Sequence, residues 1–276
     1  MTVVLPTVKR RRVQPEIVPD DGLVSGGVRL HRFTLDEYHR LIETGFLHPD
    51  EHLELIEGLM VLKADWLSEE ELQQEFEFLL STKYPLRRFS VEEYHRLIEL
   101  GMLEGTPRVE LLDGLLIEMS AFTAYHRTCV HQFYDFLHGR IGERAQVFMQ
   151  SPITLPDQRT EPEPDVVIAR SRQDKYAHRH PYPDDLLLVA EVAYSTLDSD
   201  QTIKGSTYAG AGIPEYWLWN LQDWQLEVYR EPMTLAVGRA GYRVRTVYLA
   251  DETIAPLAFP DCSVRVGDIL PARLKA

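Results

Sequence analysis

Asp165 and Glu191 are the two residues whose types and setting most directly suggest shared chemistry. Asp165 stands at the mouth of PDVVIAR (164–170), a run of β-formers behind a proline, and Glu191 lies near the end of DLLLVAEVAYS (185–195), a longer apolar run. Taken as antiparallel neighbours joined by a long loop, the two runs set these carboxylates opposite one another, about 5 Å apart. Two carboxylates that close do not both stay ionised cheaply without a cation between them. A hard divalent ion with oxygen ligands, Mg²⁺ or Mn²⁺, would relieve the repulsion. A surface salt bridge to a nearby arginine would do so too, and the spacing alone favours neither.

The next element tips the balance. DSDQTIKGSTYAGAG (198–212) has helical spacing, and Asp200, Lys204 and Tyr208 stand at i, i+4 and i+8 on one face of it. Only a short turn separates it from the Glu191 strand, so Lys204 can point back at the strand end. Read blandly, Asp200–Lys204 is a surface pair worth a few tenths of a kcal/mol. Read functionally, Lys204 orients or activates a metal-bound water.

The elements that must position these residues begin with a repeat. RFTLDEYHRLIETGFLHPDEHLELIEGLMV (32–61) matches RFSVEEYHRLIELGMLEGTPRVELLDGLLI (88–117) without a gap, at a constant offset of 56 positions. Each copy predicts a helix capped by Thr34 or Ser90, with Glu37 or Glu93 closing a capping box and Gly45 or Gly101 ending it. A two-strand hairpin follows, turning at Glu57-Gly58 or Asp113-Gly114. A further helix is expected over 67–83. One partial duplication is too short for a solenoid, so the expected organisation is a disordered tail (1–27), an appended partial duplicate (28–84) and a main domain (85–276). In the main domain the patterns predict a helix at 125–141 and strands at 145–155, 164–170, 185–195, 215–220, 225–231 and 241–250. This is α/β in the mixed α+β sense, with helices against the faces of a mixed sheet.

Composition sets outer limits. The 276 residues are 44% hydrophobic and 26% charged, ordinary for a globular chain, with no apolar run long enough to cross a membrane. The net charge of −14 argues against a general nucleic-acid coat, though a metal ion can supply positive charge locally. Cys129 and Cys262 are far apart and without zinc spacing, as expected of reduced thiols in a cytoplasmic protein. The basic run Lys9–Arg12 reads as part of a solvated tail.

Pro164-Asp165 with its apolar strand, EVAYST with Asp200, Lys204 and Tyr208 behind it, and GIPEYWLWN (212–220) together resemble a restriction-endonuclease family of the PD-(D/E)XK nuclease superfamily. RVELLDGLLIEMS (108–120) and His126 resemble the front of the same domain, so the likeness runs over roughly 86–276. The superfamily pattern would put lysine at position 193, which is Ala193 here; in the family resembled, the following helix supplies it, here as Lys204. The resemblance implies a restriction-endonuclease-like fold that hydrolyses DNA. It implies one or two Mg²⁺ (or Mn²⁺) ions held by Asp165, Glu191 and the backbone carbonyl of Val192, with Lys204 orienting the water. Glu110 would approach the metal directly or through water. Glu163, on the strand face of Asp165, is an extra ligand or a rim residue, and His126 a phosphate contact or a helix-capping and packing residue. Glu54, the repeat mate of Glu110, has no acidic or lysine counterparts downstream and reads as a structural echo. The basic, aromatic loop 171–183 joins the far ends of the two strands, too distant to serve the site. Tyr216, Trp217 and Trp219 suit core or dimer packing.

Three readings compete. The first is a metal-dependent DNA endonuclease, with a homodimer expected because cutting both strands needs two sites. The second keeps the fold without catalysis, as a binding or assembly module. The third, resting on the acidic charge, is a metal-dependent hydrolase of some other substrate.

Overall fold

The computed structural model describes residues 28–63, 66–68, 85–105, 107–235 and 240–272. The tail 1–27 and all but the first two residues of the helix expected over 67–83 lie outside these. The first repeat copy runs β1 (Arg29–Leu30), α1 (Leu35–Glu43), β2 (Leu53–Ile56) and β3 (Leu59–Leu62). The second has α2 (Val91–Glu99), β4 (Val109–Leu112) and β5 (Leu115–Glu118). Both helices carry the expected capping box, Thr34 with Glu37 and Ser90 with Glu93. Both hairpins turn through paired positive φ angles, 49° and 84° at Glu57-Gly58, 51° and 76° at Asp113-Gly114. Glycine is needed there for space as well, since a Cβ on Gly58 would lie 2.8 Å from Arg32 Cβ and one on Gly114 2.7 Å from Arg88 Cβ.

The two copies share a core, in which Phe33, Leu41 and Met60 pack with Phe89, Leu97 and Leu111. They also exchange strands: β1 pairs antiparallel with β5 of the other copy, while Leu86, the mate of Leu30, bridges to Val61 of the first. Arg87, buried at this seam, is held by Glu51 from one copy and Glu93 from the other.

After the second copy the chain forms α3 (Ala124–Ile141) and continues into a six-stranded sheet of β6 (Ala145–Met149), β7 (Val166–Arg170), β8 (Leu186–Ala193), β9 (Glu215–Asn220), β10 (Gln225–Thr234) and β11 (Ala240–Tyr248). The spatial order is β11-β10-β9-β8-β7-β6. Every pairing is antiparallel except β8 with β9. A parallel pair needs a crossover, and α4 (Leu197–Ser199), a π-helical turn (Asp200–Lys204) and α5 (Gly205–Gly210) supply it. β6 stops at Met149 rather than reaching 155, because Gln150 adopts a left-handed φ of 47° and Pro152 follows. No described helix is long and apolar enough to cross a membrane.

Period-two alternation sorts the sheet into two faces. Val166, Ile168, Leu188, Ala190, Trp217 and Trp219 pack against α3. Val167, Ala169, Val189, Ala193, Tyr216 and Leu218 pack on the other side with Tyr208 of α5. Trp217 and Trp219 are therefore core residues, with the Phe133 ring 5.5 Å and 5.1 Å from theirs. Trp217→Ala is expected to cost about 3–5 kcal/mol, the usual range for emptying a fully buried aromatic site. Guanidinium unfolding would read this as a lower midpoint at unchanged slope; a loss under ~1 kcal/mol would contradict the packing.

Candidate active site

By the alternation that places Val167 and Val189 on the α5 side, Asp165 and Glu191 face that side too. The β7–β8 register pairs Val166 with Ala190, so Asp165 and Glu191 are the next residues in line across the ladder. Pro162 and Pro164 hold the approach to β7 extended. The approach is pinned to the second repeat by mutual hydrogen bonds between Glu161 and Leu111, at 2.8 Å for the Glu161 N–H. Buried Glu161 accepts from Thr154 Oγ1 at 2.6 Å and lies 2.7 Å from His95 Nε2. This attachment brings Glu110 of β4 to the site, where its Oε2 accepts from the Glu163 N–H at 3.3 Å.

Lys204 sits among the acids. Its Nζ is 3.0 Å from Glu191 Oε1, 3.5 Å from Glu110 Oε1 and 4.0 Å from Asp200 Oδ1. Tyr208 donates to the same Glu191 oxygen at 2.6 Å, fixing the carboxylate from beneath. The π-helical turn ends at Lys204, and such turns recur at functional sites because they re-aim side chains within a helix. Asp165 is held by three donors: the Val192 N–H at 2.8 Å, His126 Nε2 at 3.0 Å and Gln150 Nε2 at 3.3 Å. His126 lies in the first turn of α3, below the Thr123 cap, with its ring stacked on Phe122 at 4.7 Å.

All these groups except Tyr208 and Gln150 line one cleft of about 630 Å³. Asp165, Glu191, Glu110 and Asp200 are nearly buried, so their charge is poorly solvated. Burial raises the Glu191 pKa to about 8, with Lys204 opposing and Asp165, Asp200 and Glu110 adding to the rise. Burial likewise raises Asp200 to about 6 against the pull of Lys204. For Lys204 burial works against the charge, yet Glu110, Glu191 and Asp200 outweigh it and hold the ammonium well above its ordinary range.

Asp165, Glu191, Lys204, Glu110 and His126 thus converge, and Val192 lines the same cleft. Tyr208 is fully buried behind Glu191. Glu163 is at the rim, paired with Arg108, and burial raises its pKa against that arginine. Glu54 lies elsewhere, half exposed and 3.4 Å from Lys63. The bland alternative, an Asp200–Lys204 surface pair, does not hold: Asp200 is buried and Lys204 is only 13% exposed, because the crossover packs its face onto the sheet. Residue type does not mark Gln150, although antiparallel pairing of β6 with β7 puts it directly beside Asp165. Arg29, Phe122 and Tyr194 at the cleft were also missed, and nothing local in the sequence marks them.

The donor set suits a hard divalent cation, with several buried carboxylates facing a single lysine. Among the described residues no group of three or more His, Cys, Asp and Glu side chains is arranged to hold a metal ion.

A family model described as "Uma2: Putative restriction endonuclease" matches residues 91–267. A solved structure titled as a putative nuclease belonging to DUF820, from Anabaena variabilis ATCC 29413, is similar with a TM-score of 0.52 at 14% identity. The match covers 66% of this chain and 97% of that one. No curated protein matches. The mixed α+β, nuclease-like architecture expected from the sequence is the one observed.

Proposed function

The chain belongs to the Uma2 family, and we propose that it is a metal-dependent endonuclease hydrolysing DNA phosphodiester bonds, with Asp165, Glu191 and Lys204 at its centre. What supports this most is the convergence of those three residues from two neighbouring strands and the helical crossover, with Lys204 Nζ 3.0 Å from Glu191. Asp165, Glu191 and the Val192 carbonyl would hold Mg²⁺ or Mn²⁺, which supplies Lewis-acid polarisation of the phosphate and a more acidic water. In the reaction the water oxygen bonds to phosphorus and one P–O ester bond breaks. A phosphate monoester remains on one end and a hydroxyl on the other. Lys204 orients the water and balances charge on the phosphate oxygens. Tyr208 keeps Glu191 in place, and His126, Gln150 and the Val192 N–H do the same for Asp165. Glu110 assists from β4 through the same lysine.

Calorimetric titration of Mn²⁺, with plasmid nicking measured on the same samples, tests the reading. Binding together with Mn²⁺-dependent nicking is expected; a protein that binds no metal is a nuclease-shaped scaffold instead. The raised pKa of Glu191 sets a sign. A cation binds the carboxylate form, so at pH 7 binding expels a proton and affinity rises between about pH 6 and pH 8. Titrations in two buffers of unlike ionisation enthalpy should show net proton release near neutrality. Proton-neutral binding would place the metal away from Glu191.

A further inference from the structure

The first repeat does more than decorate the domain. We propose that it is a built-in pairing partner: it occupies against the second repeat the place a second copy of the chain would take, and it completes the wall of the cleft that holds Asp165 and Glu191. The working protein is then a monomer that nicks one strand per encounter. The last clause rests on the endonuclease reading; the pairing does not.

The contacts between the copies have the form of a two-fold interface. Leu30 pairs with Ile117 and Leu86 with Val61, the same contact made in both directions at the constant repeat offset. The His31 N–H donates to Leu116 O at 2.8 Å, and the Arg87 N–H, its mate, donates to Met60 O at 2.9 Å. Phe33 meets its own mate Phe89, ring centroids 6.2 Å apart, as a residue near a two-fold axis does. Such self-complementary contacts are what two identical chains make in an isologous dimer. Here both halves lie in one chain, and the exchanged strand already covers the β5 edge.

Two departures from symmetry fit the surface to the first copy rather than to a second chain. Arg87 pairs with Glu51, whereas their mates are His31 and Pro107, which offer no such pair. A second chain pairing through its own second repeat would set the buried Arg87 opposite a proline, leaving it Glu93 of its own copy and no carboxylate from across the seam. The site is also one-sided. Val28 and Arg29, at the entry of the exchanged strand, line the cleft with Glu110 and Ile203. Glu54, the mate of Glu110, is near Lys63 at the surface, so among the described residues the first copy brings a wall and no second site. The family match begins at Val91, beyond the whole first copy. The proposal replaces the homodimer expected from the need to cut two strands.

Sedimentation equilibrium of the full chain over a wide concentration range, together with Arg29→Cys/Glu118→Cys oxidised in air, tests the pairing. Arg29 and Glu118 face each other in the β1–β5 register, within reach of a disulfide. Expected are a mass of 31.9 kDa throughout and a cross-link inside one chain that leaves a monomer-sized band on a non-reducing gel. Twice that mass, or a reductant-sensitive band of dimer size, overturns the proposal. Should the double variant fail to fold, the wild-type mass decides alone. With Mn²⁺, supercoiled plasmid should pass to open circles well before linear product appears; direct linearisation overturns the claim of one strand per encounter. A plasmid left intact defeats the endonuclease reading, while mass and cross-link still judge the pairing.

Discussion

Asp165→Ala is expected to abolish calorimetric Mn²⁺ binding and to slow plasmid nicking by at least about 10³-fold. The size follows from the several kcal/mol of charge stabilisation a catalytic metal supplies, at 1.36 kcal/mol per decade of rate. The same substitution leaves the Val192 N–H without its acceptor and removes the carboxylate beside His126 and Gln150, so part of any loss is structural, about 1–3 kcal/mol of stability. Asp165→Asn separates the two effects. It retains an oxygen for the Val192 N–H and the shape of the side chain while removing the charge. It should therefore keep most of the stability and still lose binding and nicking. Metal-dependent nicking that survives in Asp165→Asn would sink the assignment of Asp165 as a ligand.

The opposition of Asp165 and Glu191 was legible because it depends only on period-two geometry and one antiparallel pairing, and the Val166–Ala190 register delivers it. The helix caps and the Glu57-Gly58 and Asp113-Gly114 turns were legible for the same local reason. Lys204 was half legible. Its spacing from Tyr208 showed a shared face, but the π-helical turn that ends at Lys204 leaves no mark in residue type. The strand exchange was not legible at all. Val61 and Ile117 are repeat mates, so the sequence offers Leu30 two near-equivalent partners, and only the three-dimensional path of the chain selects between them. Burial of Asp200 was missed for a related reason: an i, i+4 pair reads the same on a solvated helix as on one packed against a sheet, and the sheet is remote in sequence.

Lys204→Met separates a positioning lysine from a structural counter-ion. Lys204 faces Glu191, Glu110 and Asp200, so its removal leaves buried carboxylates uncompensated. Breaking a buried pair in this way costs about 3–5 kcal/mol, and the lower end is expected because Glu191, already raised to about 8, can take up a proton near neutrality. The sign with pH follows. A carboxyl whose folded pKa lies above its ordinary value binds more protons folded than unfolded between the two values. Metal-free stability therefore falls as pH rises from about 5 to 8, and more steeply in the variant. Mn²⁺ replaces the missing charge. The variant should bind it at least as tightly as wild type, with a larger rise in Tm on saturation. If Lys204 orients the water, nicking at saturating Mn²⁺ stays about 10²–10⁴-fold low although stability has returned. If it serves only as a counter-ion, nicking returns with the fold.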